Sequence, residues 1–195
     1  MSLVGHDAAF AALNPAPFHL PVRGLDAVVE GAIAGLRRGD WWVPGLRERV
    51  GAALRDVPLT KLVDPAMGAR QYKVAPAEPT ANRALYAVGL AMASPDCATL
   101  VHLGIASTAA GAFHEALNVA ALRRPNVIFL VAVDPLGPGA PLPKQLATTP
   151  SRLAEAFGIP TTTVNGRSQE AVRDAVIAAR TAGGPHLIQA DLLTL

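Results

Sequence analysis

Three side chains that could do chemistry lie within five residues of one another: His114, Glu115 and Asn118. Positions four apart on a helix share one face, so a helix here would place His114 beside Asn118. An adjacent His and Glu can form a general acid–base pair, and both are also common metal ligands. They can equally be satisfied polar groups on a packed helix, and the spacing alone leaves both interpretations open.

A fourth candidate, Asp134, follows the uninterrupted apolar run of residues 127–133 and precedes a proline. A run of this kind predicts a strand that is buried on both faces of a sheet. A carboxylate at the end of such a strand can hold a divalent cation. Aspartate is also common in loops for conformational reasons, so an ordinary loop role is the alternative.

Composition narrows the classes of protein to which the chain can belong. Of its 195 residues, 51% are hydrophobic and only 16% are charged, which predicts a packed domain rather than a disordered chain. The formal net charge is only +2 and the basic residues form short scattered pairs, so nucleic-acid binding is not expected. Cys97 is the only cysteine, which excludes an internal disulfide and a thiolate metal cluster.

The cysteine count, the N-terminus and the length of the apolar stretches indicate where in the cell the protein is expected. A single cysteine and an N-terminus without a signal-peptide pattern predict a protein of the reducing cytoplasm. The longest apolar stretches, such as residues 127–133, are far too short to cross a bilayer, so no membrane association is expected.

The elements that must position the candidate side chains are predicted from periodicity and from helix- and strand-breaking residues. Strands are predicted at residues 99–103, 127–133, 161–164 and 186–193. Helices are predicted at residues 25–38, 46–54, 81–93, 111–122 and 151–157, and from an N-cap at Ser168 to residue 182. Residues 1–24 are predicted to form an irregular arm before a single domain of residues 25–195, and residues 57–80 a loop. Strands that alternate with helices predict the α/β class, with a parallel sheet flanked by helices on both faces. Ligands of such sheets bind beyond the carboxyl ends of the strands, so the expected site follows residues 103 and 133.

Both of these segments resemble a known family. Residues 104–121 read GIASTAAGAFHEALNVAA. The part at 111–118 is similar, almost letter for letter, to the helix Gly-x-Phe-His-Glu-Ala-Leu-Asn in the alpha subunits of thiamine-diphosphate-dependent 2-oxo acid dehydrogenases. Segments 157–160 (FGIP), 164–166 (VNG) and 184–190 (GPHLIQA) resemble that family's Tyr-Gly-Ile-Pro, Val-Asp-Gly and Gly-Pro-x-Leu-Ile-Glu-Ala. The resemblance runs from about residue 25 to the end and implies a thiamine-diphosphate-binding fold.

The resemblance also implies a cofactor site. Contacts to thiamine diphosphate and Mg²⁺ would come from Arg47, Gly104, Ala106, Asp134 and Leu136. In the family, the Asp of a Gly-Asp-Gly turn and a later Asn hold the Mg²⁺ ion that bridges the two phosphates of the cofactor. Here Ile105 replaces that Asp, and Ala106 replaces the Gly that follows it. Asp134 stands at the Asn position and is the candidate metal ligand. Because isoleucine has no oxygen atom to offer, cofactor binding is expected to be weak or absent.

Three functions follow from this comparison. The first is a degenerate alpha-subunit-like protein, non-catalytic by itself, that acts as a homodimer or higher oligomer or through a partner. The second is a genuine 2-oxo acid dehydrogenase subunit that works with a beta-like chain and uses Asp134 as a substitute metal ligand. The third is a cleft adapted to another small ligand. In the family, the helix matching residues 111–118 lies largely at a subunit contact. The resemblance therefore favours structural roles for its polar side chains, and no residue is assigned as catalytic.

Overall fold

The computed structural model describes residues 2–13, 20–64, 68–76, 81–134, 144 and 146–192. Its centre is a sheet of five strands in the order β1-β2-β3-β5-β4. The strands are β1 (Trp41–Val43), β2 (Thr99–Gly104), β3 (Val127–Val133), β4 (Thr161–Asn165) and β5 (His186–Asp191). Every pairing in this sheet is parallel, which confirms the predicted α/β class.

Helices surround the sheet. The α-helices among the described residues are α1 (Leu3–Leu13), α2 (Asp26–Gly35), α3 (Asn82–Ala93), α4 (Gly111–Arg123), α5 (Pro150–Ala156) and α6 (Gln169–Ala182). Short 3-10 helices cover Arg49–Arg55, Leu59–Leu62, Arg70–Tyr72 and Ile105–Ala109. Within the described ranges, no helix combines the length and the apolar character needed to cross a membrane.

Successive strand residues point to opposite faces of the sheet, so each strand contributes to two apolar layers. Helices α1, α2 and α6 pack on one face, against side chains that include Leu130 and Ile188. Helices α3, α4 and α5 pack on the other face, against side chains that include Phe129 and Leu187. Strand β3 is buried along its whole length except at its last residue, as its apolar sequence predicts. The prediction of helices on both faces is confirmed.

Two glycines allow α2 and α6 to pack closely. A Cβ atom at Gly31 would lie 2.5 Å from the carbonyl oxygen of Gln169 and 2.8 Å from Cβ of Val172. A Cβ atom at Gly35 would lie 2.7 Å from Cβ of Val176. Because protein interiors leave little room for relaxation, a larger residue at either position would push the two helices apart.

The N-terminal segment differs from its prediction. Residues 3–13 form α1, whereas an irregular arm was predicted over residues 1–24, and that prediction is wrong for this part. The predicted helix breakers begin at Asn14, so none of them lies within residues 3–13. Leu3 and Phe10 are seven residues apart, lie on one side of the helix and are buried. The guanidinium of Arg49 lies 5.0 Å from the centroid of the Phe10 ring, so α1 joins the main core.

Two further elements near β1 differ from the prediction. The predicted helix at residues 46–54 is instead the 3-10 helix Arg49–Arg55, which ends at Asp56 in a left-handed conformation with φ of 65°. Strand β1 was not predicted because three residues are too few to show a periodic pattern. Its middle residue, Trp42, also bridges to Val74 from the segment predicted as a loop.

Candidate functional site

The candidate segments lie together at the carboxyl edge of the sheet. Strand β2 ends at Gly104, which pairs with Ala132 near the end of β3. The turn that begins at Gly104 and the half-buried Asp134 therefore follow neighbouring strands at one edge. This is the position where parallel α/β sheets bind ligands, and the sequence predicted it.

The turn after β2 is apolar and internally bonded. Ile105 begins the 3-10 helix Ile105–Ala109 and packs, half-buried, against the apolar layer under α3 and α4. The buried Thr108 donates its hydroxyl hydrogen to the carbonyl oxygen of Ile105 at 2.7 Å. Ala106 is exposed, and a Cβ atom at Gly104 would meet no atom within 4 Å. The turn thus leaves open space beside Gly104 but offers no side-chain oxygen where the family has its Asp.

Arg47 lies on the other predicted cofactor segment, and its donors are engaged within the chain. Its Nε donates to the carbonyl oxygen of Pro21 at 3.2 Å, and its Nη2 donates to the carbonyl oxygen of Arg23 at 2.9 Å. These bonds hold residues 21–23 against the turn that follows β1. The remaining predicted contact, Leu136, lies outside the described residues.

At position 105 the chain does not fit a Mg²⁺–diphosphate group held as in the family. Mg²⁺ requires oxygen ligands in near-octahedral geometry, and a carboxylate is its usual protein ligand. The described part of the chain contains no group of three or more His, Cys, Asp or Glu side chains that could hold a metal ion. Asp134 is the one predicted ligand with a carboxylate, and Ile105 has no donor atom.

Helix α4 contains the three polar side chains of the matching motif. Its buried face consists of Phe113, Ala116, Leu117 and Ala120. Glu115 is exposed, whereas His114 and Asn118 are half-buried, so His114 and Glu115 do not share one enclosed site. The Nε2 atom of His114 is enclosed and has no hydrogen-bond partner among the described residues. This geometry supports a packing role for the helix better than an acid–base pair.

Sequence reasoning missed a buried polar group beside the candidate site. Arg83 of α3 is 6% exposed, and its Nε donates to the carbonyl oxygen of His102 at 2.6 Å. Strand β1 pairs with β2 only as far as Val101, so Arg83 supplies a donor where β1 has ended. Glu48 is also buried, and a Cβ atom at Gly45 would collide with its Oε2 and with Nη2 of Arg83. A larger residue at position 45 would therefore have to displace these two side chains. A useful signal would have been an Arg on the apolar helix at residues 81–93.

His102 was assigned no role, and the structure gives it an unusual environment. It is 2% exposed, and its ring makes an edge contact with Trp42 at a centroid distance of 5.6 Å. Burial, with a smaller contribution from the nearby positive charge of Arg83, lowers the pKa of His102 from 6.5 to about 3. The imidazole is therefore neutral at physiological pH, and no proton-transfer role near pH 7 follows.

A second buried network joins β5 to α5. The Oε1 atom of Gln189 accepts hydrogen bonds from the hydroxyl of Ser151 at 2.9 Å and from its backbone N–H at 3.4 Å. The amide nitrogen of Gln189 donates to Oδ1 of Asp191 at 2.9 Å. Gln189 stands where the family strand has Glu, and a glutamate could not make both contacts. The replacement therefore suits this chain's own packing.

The fold of this chain has a counterpart among solved structures. A solved structure described as a thiamin diphosphate-dependent enzyme from Mycobacterium smegmatis matches this chain with a TM-score of 0.62 and 19% sequence identity. The match covers 90% of this chain and 32% of that chain. At this identity the similarity shows the shared fold alone, and it confirms the predicted thiamine-diphosphate-binding fold.

The family follows from the sequence itself. The model of the dehydrogenase E1 component family matches residues 7–192, and the chain belongs to that family. The 2-oxoisovalerate dehydrogenase subunit alpha of Bacillus subtilis (strain 168) is 31% identical over 201 residues, covering 89% of this chain and 61% of the relative. The 3-methyl-2-oxobutanoate dehydrogenase subunit alpha of Mycobacterium tuberculosis (strain CDC 1551 / Oshkosh) is 33% identical over 190 residues, covering 88% of this chain and 52% of the relative. The chain therefore spans between half and two-thirds of the length of these relatives.

Proposed function

We propose that this chain is an alpha-subunit-like member of its family that does not catalyse by itself and acts through self-association or a partner. The observation that carries the proposal is Ile105, an apolar side chain at the end of β2 where the family has its metal-binding Asp. Its single cysteine is consistent with work in the reducing cytoplasm.

The replacement of the metal-binding carboxylate by Ile105 has a predictable effect on the affinity for the cofactor. If removing the carboxylate resembles breaking a buried ion pair from one side, the cost is about 3–5 kcal/mol. A cost of this size lowers affinity by roughly two to four decades, so micromolar binding would become millimolar or weaker. The hydrogen bonds of Arg47 to two loop carbonyls point the same way, because that guanidinium already has partners inside the chain.

Association is supported by the outer surface of α3 and α4. Tyr86 and Met92 on α3 are 45% and 47% exposed, and Leu122 on α4 is 74% exposed. Small residues on α4, such as Gly111 and Ala112, leave room for another helix to approach. The relatives are named as alpha subunits, which accords with a protein that works in an assembly.

Light scattering after size exclusion tests the association. The wild-type chain is expected to have at least twice the mass of a monomer, and Leu122→Glu is expected to lower that mass. Glu115→Gln, which lies on the same helix and leaves the apolar surface unchanged, serves as the control. A monomeric wild-type chain that is also monomeric with a beta-like subunit present would contradict the proposal.

Calorimetric titration with thiamine diphosphate and Mg²⁺ tests whether Ile105 weakens the binding of the cofactor. We expect no saturable binding at micromolar concentrations by the wild-type chain, and a gain of binding in the double variant Ile105→Asp/Ala106→Gly. The variant Ala106→Gly alone is the matched control, because it restores the glycine without the carboxylate. Circular dichroism checks that each variant is folded.

The alternative function is a genuine thiamine-diphosphate-dependent subunit that pairs with a beta-like chain. It is favoured by one observation: Asp134 provides a carboxylate just after β3, the strand that neighbours the one ending at Gly104. Mg²⁺ often binds through one or two carboxylates together with the phosphates of its ligand. Micromolar binding by the wild-type chain that is lost in Asp134→Ala would select this alternative and reject our proposal.

A further inference from the structure

A cleft of about 240 Å³ opens at the amino edge of the sheet, opposite the candidate cofactor site. It lies between the C-terminal end of α2, the end of the 3-10 helix Arg49–Arg55 and the segment around Tyr72. Its apolar lining comes from Ile33, Leu36, Leu54 and Tyr72.

The polar lining of this cleft is rich in positive charge. Arg37, Arg38 and Arg55 line it, whereas Asp56 is the one acidic residue in the lining. Arg38 forms an ion pair with Asp56, and both side chains are well exposed there. Two positive charges in the lining are therefore left without a negative partner from the lining itself.

Arg55 is held in place by the backbone. Its Nε donates to the carbonyl oxygen of Tyr72 at 3.1 Å, and its Nη2 donates to the carbonyl oxygens of Arg38 and Asp40 at 3.1 and 2.8 Å. These partners are neutral dipoles, so they fix the guanidinium without cancelling its charge. Burial lowers the pKa of Arg55 from its ordinary value, the nearby Asp40 opposes that shift, and the positive charge of Arg38 adds to it.

The carboxylate of Asp40 compensates the charge of Arg55 only in part, because it also faces other groups. It accepts hydrogen bonds from the backbone N–H groups of Arg37 and Ala98 at 2.7 and 3.0 Å. It also lies 3.6 Å from the guanidinium of Arg180, which provides its own counter-charge. Four guanidinium groups, those of Arg37, Arg38, Arg55 and Arg180, are thus accompanied by the two carboxylates of Asp40 and Asp56, so an anion in the cleft would meet an excess of positive charge.

We propose that this cleft is a binding site for a small organic carboxylate with a short apolar tail. The guanidinium group of Arg37 suits a carboxylate because its planar N–H groups match the two oxygens, and the charges of Arg38 and Arg55 add to the attraction. The four apolar side chains suit a tail that water solvates poorly. The volume falls below the roughly 300–1,000 Å³ of pockets that enclose drug-sized ligands, which argues against a nucleotide. This site does not depend on the proposed function, since it uses none of the residues at the carboxyl edge.

An NMR titration of the ¹⁵N-labelled full chain tests the proposal with hexanoate, its neutral analogue hexanamide, and inorganic phosphate. Hexanoate is expected to shift the backbone amide signals of residues 33–38, 54–56 and 71–72 in a saturable way, with a dissociation constant of about 1 mM or lower. Hexanamide lacks the charge and phosphate lacks the tail, so each is expected to bind at least about fivefold more weakly.

The variant Arg37→Gln removes one of the uncompensated charges and is expected to weaken hexanoate binding about tenfold. The exposed Arg123→Gln at the end of α4 is the matched control and is expected to leave binding unchanged. Absence of localised saturable shifts, or phosphate binding tighter than hexanoate binding, would overturn the proposal. If Arg37→Gln fails to fold, the comparison of hexanoate with hexanamide on the wild-type chain still decides the question.

Discussion

The two edges of the sheet differ in how they use polar side chains. At the amino edge, the buried Asp40 accepts two backbone hydrogen bonds and faces Arg180, and Arg55 binds several backbone carbonyls. At the carboxyl edge, Ile105 occupies the position where the family has its metal-binding Asp. Arg83 and Gln189 there form hydrogen bonds to other parts of the chain. Polar groups that join elements of the fold are thus present at both edges, whereas position 105 at the carboxyl edge carries an apolar side chain.

The largest expected effect comes from breaking the amino edge with Asp40→Ala. The substitution leaves one buried N–H group, one partly buried N–H group and the 14%-exposed Arg180 side chain without their carboxylate. Removing one member of a buried charged network costs about 3–5 kcal/mol of unfolding free energy. Urea denaturation at pH 7 measures this loss. The exposed Glu115→Ala at the other edge is the control and is expected to stay within about 0.5 kcal/mol of wild type. A cost below about 1 kcal/mol for Asp40→Ala would remove the contrast between the edges.

The next effect is a pH dependence that arises from His102 in β2. Its folded-state pKa is about 3, below the ordinary 6.5, so between these values the unfolded chain binds a proton that the folded chain does not. The stabilisation is complete above pH 6.5 and is lost as pH falls towards 3. Between pH 7 and pH 5 this residue alone should lower the unfolding free energy by about 2 kcal/mol.

The variant His102→Leu tests that assignment, since it keeps a buried side chain of similar size but cannot titrate. Unfolding free energies of both proteins, measured by urea denaturation from pH 5 to pH 7, should differ in slope by roughly one proton near pH 5.5. The backbone carbonyl that Arg83 contacts is retained in the variant. Equal slopes would mean that His102 gains its proton in the folded chain as readily as in the unfolded chain, which contradicts the lowered pKa.

A smaller effect is expected from Gln189→Glu, which restores the residue of the family at the carboxyl edge. The new carboxylate would replace the amide that donates to Asp191 at 2.9 Å and would face a like charge. The expected cost is roughly 1–2 kcal/mol at pH 7, shrinking at pH 5 as the new carboxyl gains a proton. Gln169→Glu at the start of α6 is the matched control, because a negative charge there is favourable. A stabilised Gln189→Glu protein would imply a cation near this network.

The sequence predicted the regular elements well where local signals were strong. Residues 127–133 form β3 with the predicted ends, because an uninterrupted apolar run has one stable place in a parallel sheet. The last helix begins after Ser168 and ends before Gly183, whose φ of 69° suits glycine. The position of the candidate site followed from the alternation of strands and helices.

The elements and contacts that the sequence did not predict depend mostly on residues distant in sequence, which no local pattern reveals. Strand β1 exists because Trp41 and Trp42 pair with a strand 58 positions later. Arg55 reaches the carbonyl oxygen of Tyr72, and Arg83 reaches that of His102, through positions that look like ordinary helix charges. Helix α1 was missed because the breakers after residue 13 were taken to extend over the residues before it.

The smallest effect is expected from Ser168→Ala at the carboxyl edge, where the sequence predicted a helix cap. The Oγ atom of Ser168 accepts a hydrogen bond from the backbone N–H of Ala171 at 3.2 Å, and Thr149 does the same for Arg152 at the start of α5. Losing either cap should cost about 1 kcal/mol in thermal or urea denaturation, while Ser168→Asp keeps the acceptor and should be close to wild type. Both helices stay packed on the sheet, so only the cap is lost. If Ser168→Ala instead cost as much as Asp40→Ala, the carboxyl edge would depend on its polar side chains as strongly as the amino edge does. The replacement of Asp by Ile105 would then be a single substitution, and the two edges would not differ in how strongly they depend on polar side chains.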